Sequence, residues 1–170
     1  ARMARYDLLK ATTHLAQKVT KWDYNCDMEL HRLMCYIAST VNKKMIGYIG
    51  DDWKSISLDL YGDADFAGDK ETHRSTTGVF QLLAGKYTRF PLVGVAKRQM
   101  AVSYSTPEAE IIAFAYALRA EGLPALDLLK AVTKTEVKLN FFEDNTATIR
   151  IIETGKSNNL RHLLRTHRVC

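Results

Sequence analysis

The chain has 170 residues, enough for one domain or one domain with an appendage, and its 46% hydrophobic content supports a packed core and argues against a disordered chain. Its net charge of +5 and pI of about 9.1 suit an anionic partner, although a modest excess of Lys and Arg also occurs on ordinary surfaces. No apolar run approaches the roughly 20 residues that span a bilayer, no signal peptide opens the chain, and Cys26, Cys35 and Cys170 form no zinc-ligand spacing. The expectation is a protein without zinc or membrane contact, in a reducing intracellular, cytoplasmic setting.

The first elements are helical. Residues 4–20 carry Leu8, Leu9, Thr12, Leu15, Ala16 and Val19 on one stripe, and residues 26–41 carry Leu30, Leu33, Met34, Ile37 and Val41. The chain opens directly on this pattern, as a piece of a longer polypeptide would.

From Met45 the pattern turns extended. Residues 45–49 read as a strand and Gly50-Asp51-Asp52 as a turn. Residues 57–65 alternate cleanly, with Leu58, Leu60, Gly62 and Ala64 on one face and Asp59, Tyr61, Asp63 and Asp65 on the other. Strands follow over 76–83 and within 92–105, with Gly85, Pro91 and Gly94 as interruptions. Thr106-Pro107 offers a helix start, and Ser105 with Glu108 offers a capping box; both readings give a helix over 107–121 that Gly122 and Pro124 end. A short helix over 125–132, a strand over 136–142 and a helix over 145–153, stopped by Gly155, complete the pattern; the basic stretch 156–170 is ambiguous. The order helix–helix, then β-β-β-α-(α)-β-α, predicts an α/β fold with a mixed sheet and helices packed on it.

Charge is unevenly distributed. No carboxylate lies between Glu71 and Glu108, whereas Arg74, Lys86, Arg89, Lys97 and Arg98 do; residues 150–170 set five Lys and Arg against Glu153. A face that meets phosphates has this distribution, and so does a solvated basic face.

Three acids stand where separate rigid elements converge. Asp63 lies on the first long strand beside Asp65, Glu110 in the first turn of a helix, and Asp144 where a strand passes into a helix. Each also has an ordinary structural use: turn formation near Gly68, complementing a helix dipole, and capping a helix. The sequence of strand acid, helix-start acid and strand-end acid is what points to chemistry. Hydrolysis of a phosphodiester needs an activated water and a stabilised leaving oxygen, and two divalent ions held by carboxylates supply both. His14, His31 and His73 have no partner acid at a suggestive spacing. Neither a G-x-S-x-G nucleophile motif nor a P-loop is present.

Tyr61-Gly62-Asp63-Ala64-Asp65-Phe66-Ala67-Gly68, followed by Arg74-Ser75-Thr76-Thr77-Gly78, resembles the start of the RNase H domain of Copia-type LTR-retrotransposon Pol polyproteins. Ala96-Lys97-Arg98-Gln99 with Val102-Ser103-Tyr104-Ser105-Thr106-Pro107-Glu108-Ala109-Glu110 is similar to that family's basic strand and helix start, and Glu143-Asp144-Asn145-Thr146-Ala147 to its strand-end Asp-Asn motif. The opening helices, with Ala4-Arg5-Tyr6-Asp7, His31 and Tyr36, resemble the end of the reverse transcriptase region.

The resemblance implies two parts: 1–44 as the tail of the reverse transcriptase region and 45–170 as an RNase H-like domain. It implies metal-dependent hydrolysis of the RNA strand of RNA–DNA hybrids during reverse transcription, in the cytoplasm, a retroelement particle or the nucleus. Asp63, Glu110 and Asp144 take the catalytic and metal positions, with Asp65 secondary, for two Mg²⁺ or Mn²⁺ ions. Glu110 is preferred to Glu108 because Glu110-Ile111-Ile112-Ala113 matches the Glu-x-x-Ala of the family. Arg74, Lys97, Arg98 and Asn145 are the expected nucleic-acid contacts, and the remaining Pol polyprotein is the expected partner. Phe66 replaces a common Trp. The family fold ends in a fifth strand and a helix bearing a fourth carboxylate, both of which are expected to be missing from a chain that stops at Cys170. An inactive remnant that keeps the fold is the competing expectation. An integrase-type core is disfavoured because it places its glutamate last, whereas Glu110 lies between two aspartates.

Overall fold

One strand organises the molecule. In the computed structural model, which describes residues 1–155, strand β1 runs over Ser57–Asp65 with Leu58, Leu60, Gly62 and Ala64 buried, as the alternation predicts. Strands β2 (Thr76–Ala84) and β3 (Arg89–Arg98) extend an antiparallel meander from it, and β4 (Lys138–Phe142) lies on its other side, parallel to it. The sheet order is β3-β2-β1-β4. Helices α1 (Leu9–Gln17), α2 (Tyr24–Ser39), α3 (Thr106–Tyr116), α4 (Leu123–Thr133) and α5 (Thr146–Thr154) accompany it. The architecture agrees with the expected mixed α/β class.

The core lies between α3–α4 and the even-numbered face of β1. Leu60 packs with Val79, Val95 and Ala117, and Ala64 with Ala109 and Ala113. Leu58 and Leu83 meet Leu126 and Leu129 of α4. The opposite face is covered over β3 by α1. A Cβ on Gly94 would lie 2.7 Å from Tyr6 Cδ1 and 2.8 Å from Leu9 Cδ1, so only glycine lets the helix sit this close. The Gly94 amide donates to Arg2 O at 2.7 Å, and Thr13 Oγ1 donates to Ala96 O. An aromatic row, Tyr6–Phe80–Tyr61–Phe142, continues across that face, its last pair stacked at 4.6 Å.

Several expectations need correction. Residues 45–49 are not a strand: Tyr48 makes a lone two-bond bridge with Arg89. The next position on that edge of β3, two residues on, is Pro91, which has no N–H to continue a ladder. Pro91 itself does not interrupt β3; the register shifts opposite Gln81/Leu82, and the edge strand continues past it. The first helix is not continuous over 4–20, because single 3₁₀ turns at Tyr6–Leu8 and Val19–Lys21 bracket α1. Gly122 and Pro124 do not end the helix begun at Thr106. A π-helical segment, Ala117–Gly122, joins α3 to α4, and Pro124 falls in the first turn of α4, where an N–H is dispensable. Gly122 serves close packing instead: its φ is an ordinary helical −67°, and a Cβ there would lie 2.8 Å from Leu60 Cδ2.

The basic stretch 156–170, and with it the expected C-terminal incompleteness, lies outside the described residues. Among the described residues, no helix is long and apolar enough to cross a membrane.

Candidate functional site

Three element ends meet beside Ala64: the end of β1, the first turn of α3 and the segment leaving β4. The start of α3 is fixed by a reciprocal cap. Ser105 Oγ accepts from the Glu108 amide, and Glu108 Oε2 accepts from the Tyr104 amide at 2.8 Å. Of the two starts the sequence offers, the chain uses Ser105 as cap, with Pro107 in the first turn. A buried polar network locks this turn to the sheet: Gln99 Nε2 donates to Ala109 O at 2.9 Å and to Thr77 Oγ1 at 3.1 Å, while Ser103 Oγ donates to Gln99 Oε1.

The result is a buried carboxylate. Glu110 is 4% exposed, and its Oε2 has no hydrogen-bond partner. Burial pushes its pKa up to about 7, and the charges of Glu143, Asp63 and Asp144, in that order, add to the rise; the Ala64 backbone amide pulls the other way. Glu143 is also raised, first by burial, then by Asp144 and Asp63, while the Asn145 amide opposes the shift. That amide donates to Glu143 Oε1 at 3.2 Å, which leaves Glu143 Oε2 buried and without a partner.

Tyr61 stacks on Phe142, and Asp63, two residues along β1 from Tyr61, shares its exposed face; Asp144, beyond the end of β4, is exposed as well. Phe141 packs on Phe114 of α3 with centroids 4.2 Å apart, and Glu143, just past the end of β4, is the leading charge acting on Glu110. Among the described residues, no three His, Cys, Asp or Glu side chains stand close enough together to hold a metal ion.

Glu143 is the residue the sequence reading passed over. The signal was available: the alternation Leu139, Phe141, Glu143 carries the buried face of β4 onto a carboxylate. The capping role considered for Asp144 belongs to Asn145, whose Oδ1 accepts from Ala147 and Thr148 amides at 3.0 Å each.

The remaining expected contacts lie elsewhere. Asp65 is exposed, with Lys10 Nζ at 3.8 Å. Arg98 donates to Asp69 at 3.1 Å; hydrogen bonds from the Thr72 hydroxyl, the Glu71 amide and Arg98 hold the Asp69 carboxyl well below the usual range. Lys97 Nζ lies 4.5 Å over the Tyr116 ring, on the α3 side of the sheet. Arg74 is half-buried, and its carbonyl accepts from the Asp69 amide. His14, expected without a partner acid, has Glu29 Oε2 at 3.2 Å from Nε2 across the α1–α2 contact.

The chain is similar to a retrovirus-related Pol polyprotein from transposon RE1 of Arabidopsis thaliana, 36% identical over 81 residues. That match supports an origin in a retrotransposon Pol polyprotein. It takes in 48% of this chain and 5% of the polyprotein's length. No family profile matches the chain, and no solved structure matches it.

The donor chemistry fits a hard divalent cation. All four groups are carboxylates, and two of their oxygens are buried without protein partners. Mg²⁺ commonly takes only one or two protein carboxylates and keeps several waters, so the absence of a three-ligand cluster among the described residues is compatible with such an ion.

Proposed function

We propose that this chain is a retrotransposon-derived RNase H-like module that hydrolyses the RNA strand of RNA–DNA hybrids, with Asp63, Glu110 and Asp144 as its metal-binding carboxylates. The observation that carries the reading is the buried, unpartnered Glu110, whose pKa is raised by burial and further by the charges of carboxylates on two other elements, Asp63 and Asp144 among them. A meander joined to a parallel β4, with α3 across the central strand, and the similarity to a retrotransposon Pol polyprotein support the same reading. In it, residues 1–44 are the tail of the reverse transcriptase region, and the hybrid is held by the basic residues the sequence singles out.

The residues that would hold Mg²⁺ or Mn²⁺ are Asp63, Glu110 and Asp144, with Asp65 secondary. Such an ion supplies charge for a leaving oxygen and acidity for a bound water. The chain's own contribution is to keep Glu110 out of water against Ala109, Ala113 and Ala64, with its first turn anchored through Gln99. Burial favours the protonated form of Glu110, so a nearby cation or an alkaline medium is what brings it to its anionic state.

A second reading has its own observation. No three candidate ligands gather closely among the described residues, and Lys97 and Arg98 are engaged by Tyr116 and Asp69. An inactive module that keeps affinity for nucleic acid would look like this.

The test is cleavage of a labelled RNA–DNA hybrid with Mg²⁺ or Mn²⁺ by the chain and by Asp63→Asn and Glu110→Gln variants. The first reading expects cleavage by the parent chain and a loss of about 100-fold or more in each variant. Equal activity in all three refutes the site. Salt-dependent binding of the hybrid without cleavage favours the second reading.

A further inference from the structure

We infer that Glu143 is a direct ligand of a divalent cation, paired with Glu110. The inference rests on the metal-site reading above and adds a residue to it.

The argument begins with two buried oxygens. Glu110 Oε2 and Glu143 Oε2 are both shielded from water, and neither has a hydrogen-bond partner. A buried polar atom without a partner is destabilising, more so if it is charged, so these two call for an explanation. They do not satisfy each other. Glu143 is the largest source of repulsion for Glu110, ahead of Asp63 and Asp144. A species that would relieve both is positively charged and accepts oxygen donors. The described ion pairs assign no Lys or Arg to either residue.

The surroundings hold the pair in place. Glu110 is 4% exposed and rides on a helix turn capped by Ser105 and anchored by Gln99. Glu143 has one oxygen tied to the Asn145 amide, and Asn145 is itself fixed as the cap of α5. Each carboxylate thus presents one free oxygen from a fixed support. Two carboxylates with the remaining positions left to water match the way proteins bind Mg²⁺. On this account the site does not depend on a three-carboxylate cluster.

The probe is Mn²⁺, titrated into the 170-residue chain and followed by the electron paramagnetic resonance of the free ion. Glu143→Gln keeps the shape and the acceptor for the Asn145 amide while removing the charge. It is expected to weaken Mn²⁺ binding by at least about tenfold, with an unchanged circular dichroism spectrum. Glu143→Asp retains a charge on a shorter arm and is expected to fall between the two. Unchanged affinity in Glu143→Gln alongside weakened binding in Asp63→Asn overturns the inference and leaves the proposed function standing. Weakened binding in Glu143→Gln and Glu110→Gln, with Asp63→Asn and Asp144→Asn unaffected, supports the inference and moves the site off the proposed residues. A parent chain with no saturable Mn²⁺ binding in the millimolar range overturns both.

Discussion

Glu110→Gln is expected to stabilise the metal-free protein, by an amount that grows as pH rises from about 4.5 to about 7. The substitution keeps the side-chain shape and removes the titrating proton. In the folded chain the Glu110 carboxyl is raised from 4.5 to about 7. At about 1.4 kcal/mol for each tenfold change in acidity, that corresponds to roughly 3 kcal/mol. The sign follows from proton counting. Below the unfolded value near 4.5, Glu110 is protonated in both states and contributes no difference. Between 4.5 and about 7 the unfolded chain releases the proton while the fold retains it, so stability falls as pH rises, and above 7 the loss is complete. Urea denaturation in the presence of a chelator, at about pH 4 and about pH 8, measures it. The variant should match the parent at the lower pH and exceed it by roughly 3 kcal/mol at the higher. An equal offset at both values would refute the view that a buried ionised carboxylate is the source.

The same carboxylates make stability depend on cations. With Mg²⁺ at about 100 times its dissociation constant, the parent should gain close to 3 kcal/mol at neutral pH, and Glu110→Gln markedly less, in thermal unfolding with and without chelator. Asn145→Ala should cost about 1 kcal/mol through loss of the α5 cap, and Asn145→Asp should restore most of it, read by urea midpoints. Gly122→Ala should destabilise by about 1–3 kcal/mol, because its methyl would stand 2.8 Å from Leu60 Cδ2 in a fully buried position. A neutral result there would mean that the helix can slide away from the sheet.

Much of the centre was legible from residue pattern. Alternation gave β1 its bounds and its buried face, and the Ser105-to-Glu108 spacing marked the start of α3. These features are local, and local rules govern them. The misreadings came from partners distant in sequence. Residues 45–49 look like a strand, yet their neighbour is the edge of β3 at the point where Pro91 removes a donor. Gly122 and Pro124 read as a stop because they would end an isolated helix; against Leu60, a glycine is what contact requires, and a π segment accommodates the proline. Asp63, Glu110 and Asp144 stood out because each occupies the end of an element. Glu143 did not, because its burial comes from α3, some 30 residues back along the chain.

The alanine seam under α3 has a further consequence. Ala64, Ala109 and Ala113 form a layer one methyl thick between strand and helix. That layer acts as a shim: its thickness fixes the height at which Glu110 rides above the end of β1. Enlarging any of the three would raise the whole first turn without touching an acidic residue, and trimming them is scarcely possible. Tuning of the carboxylate spacing in this scaffold therefore runs through the smallest side chains in the core.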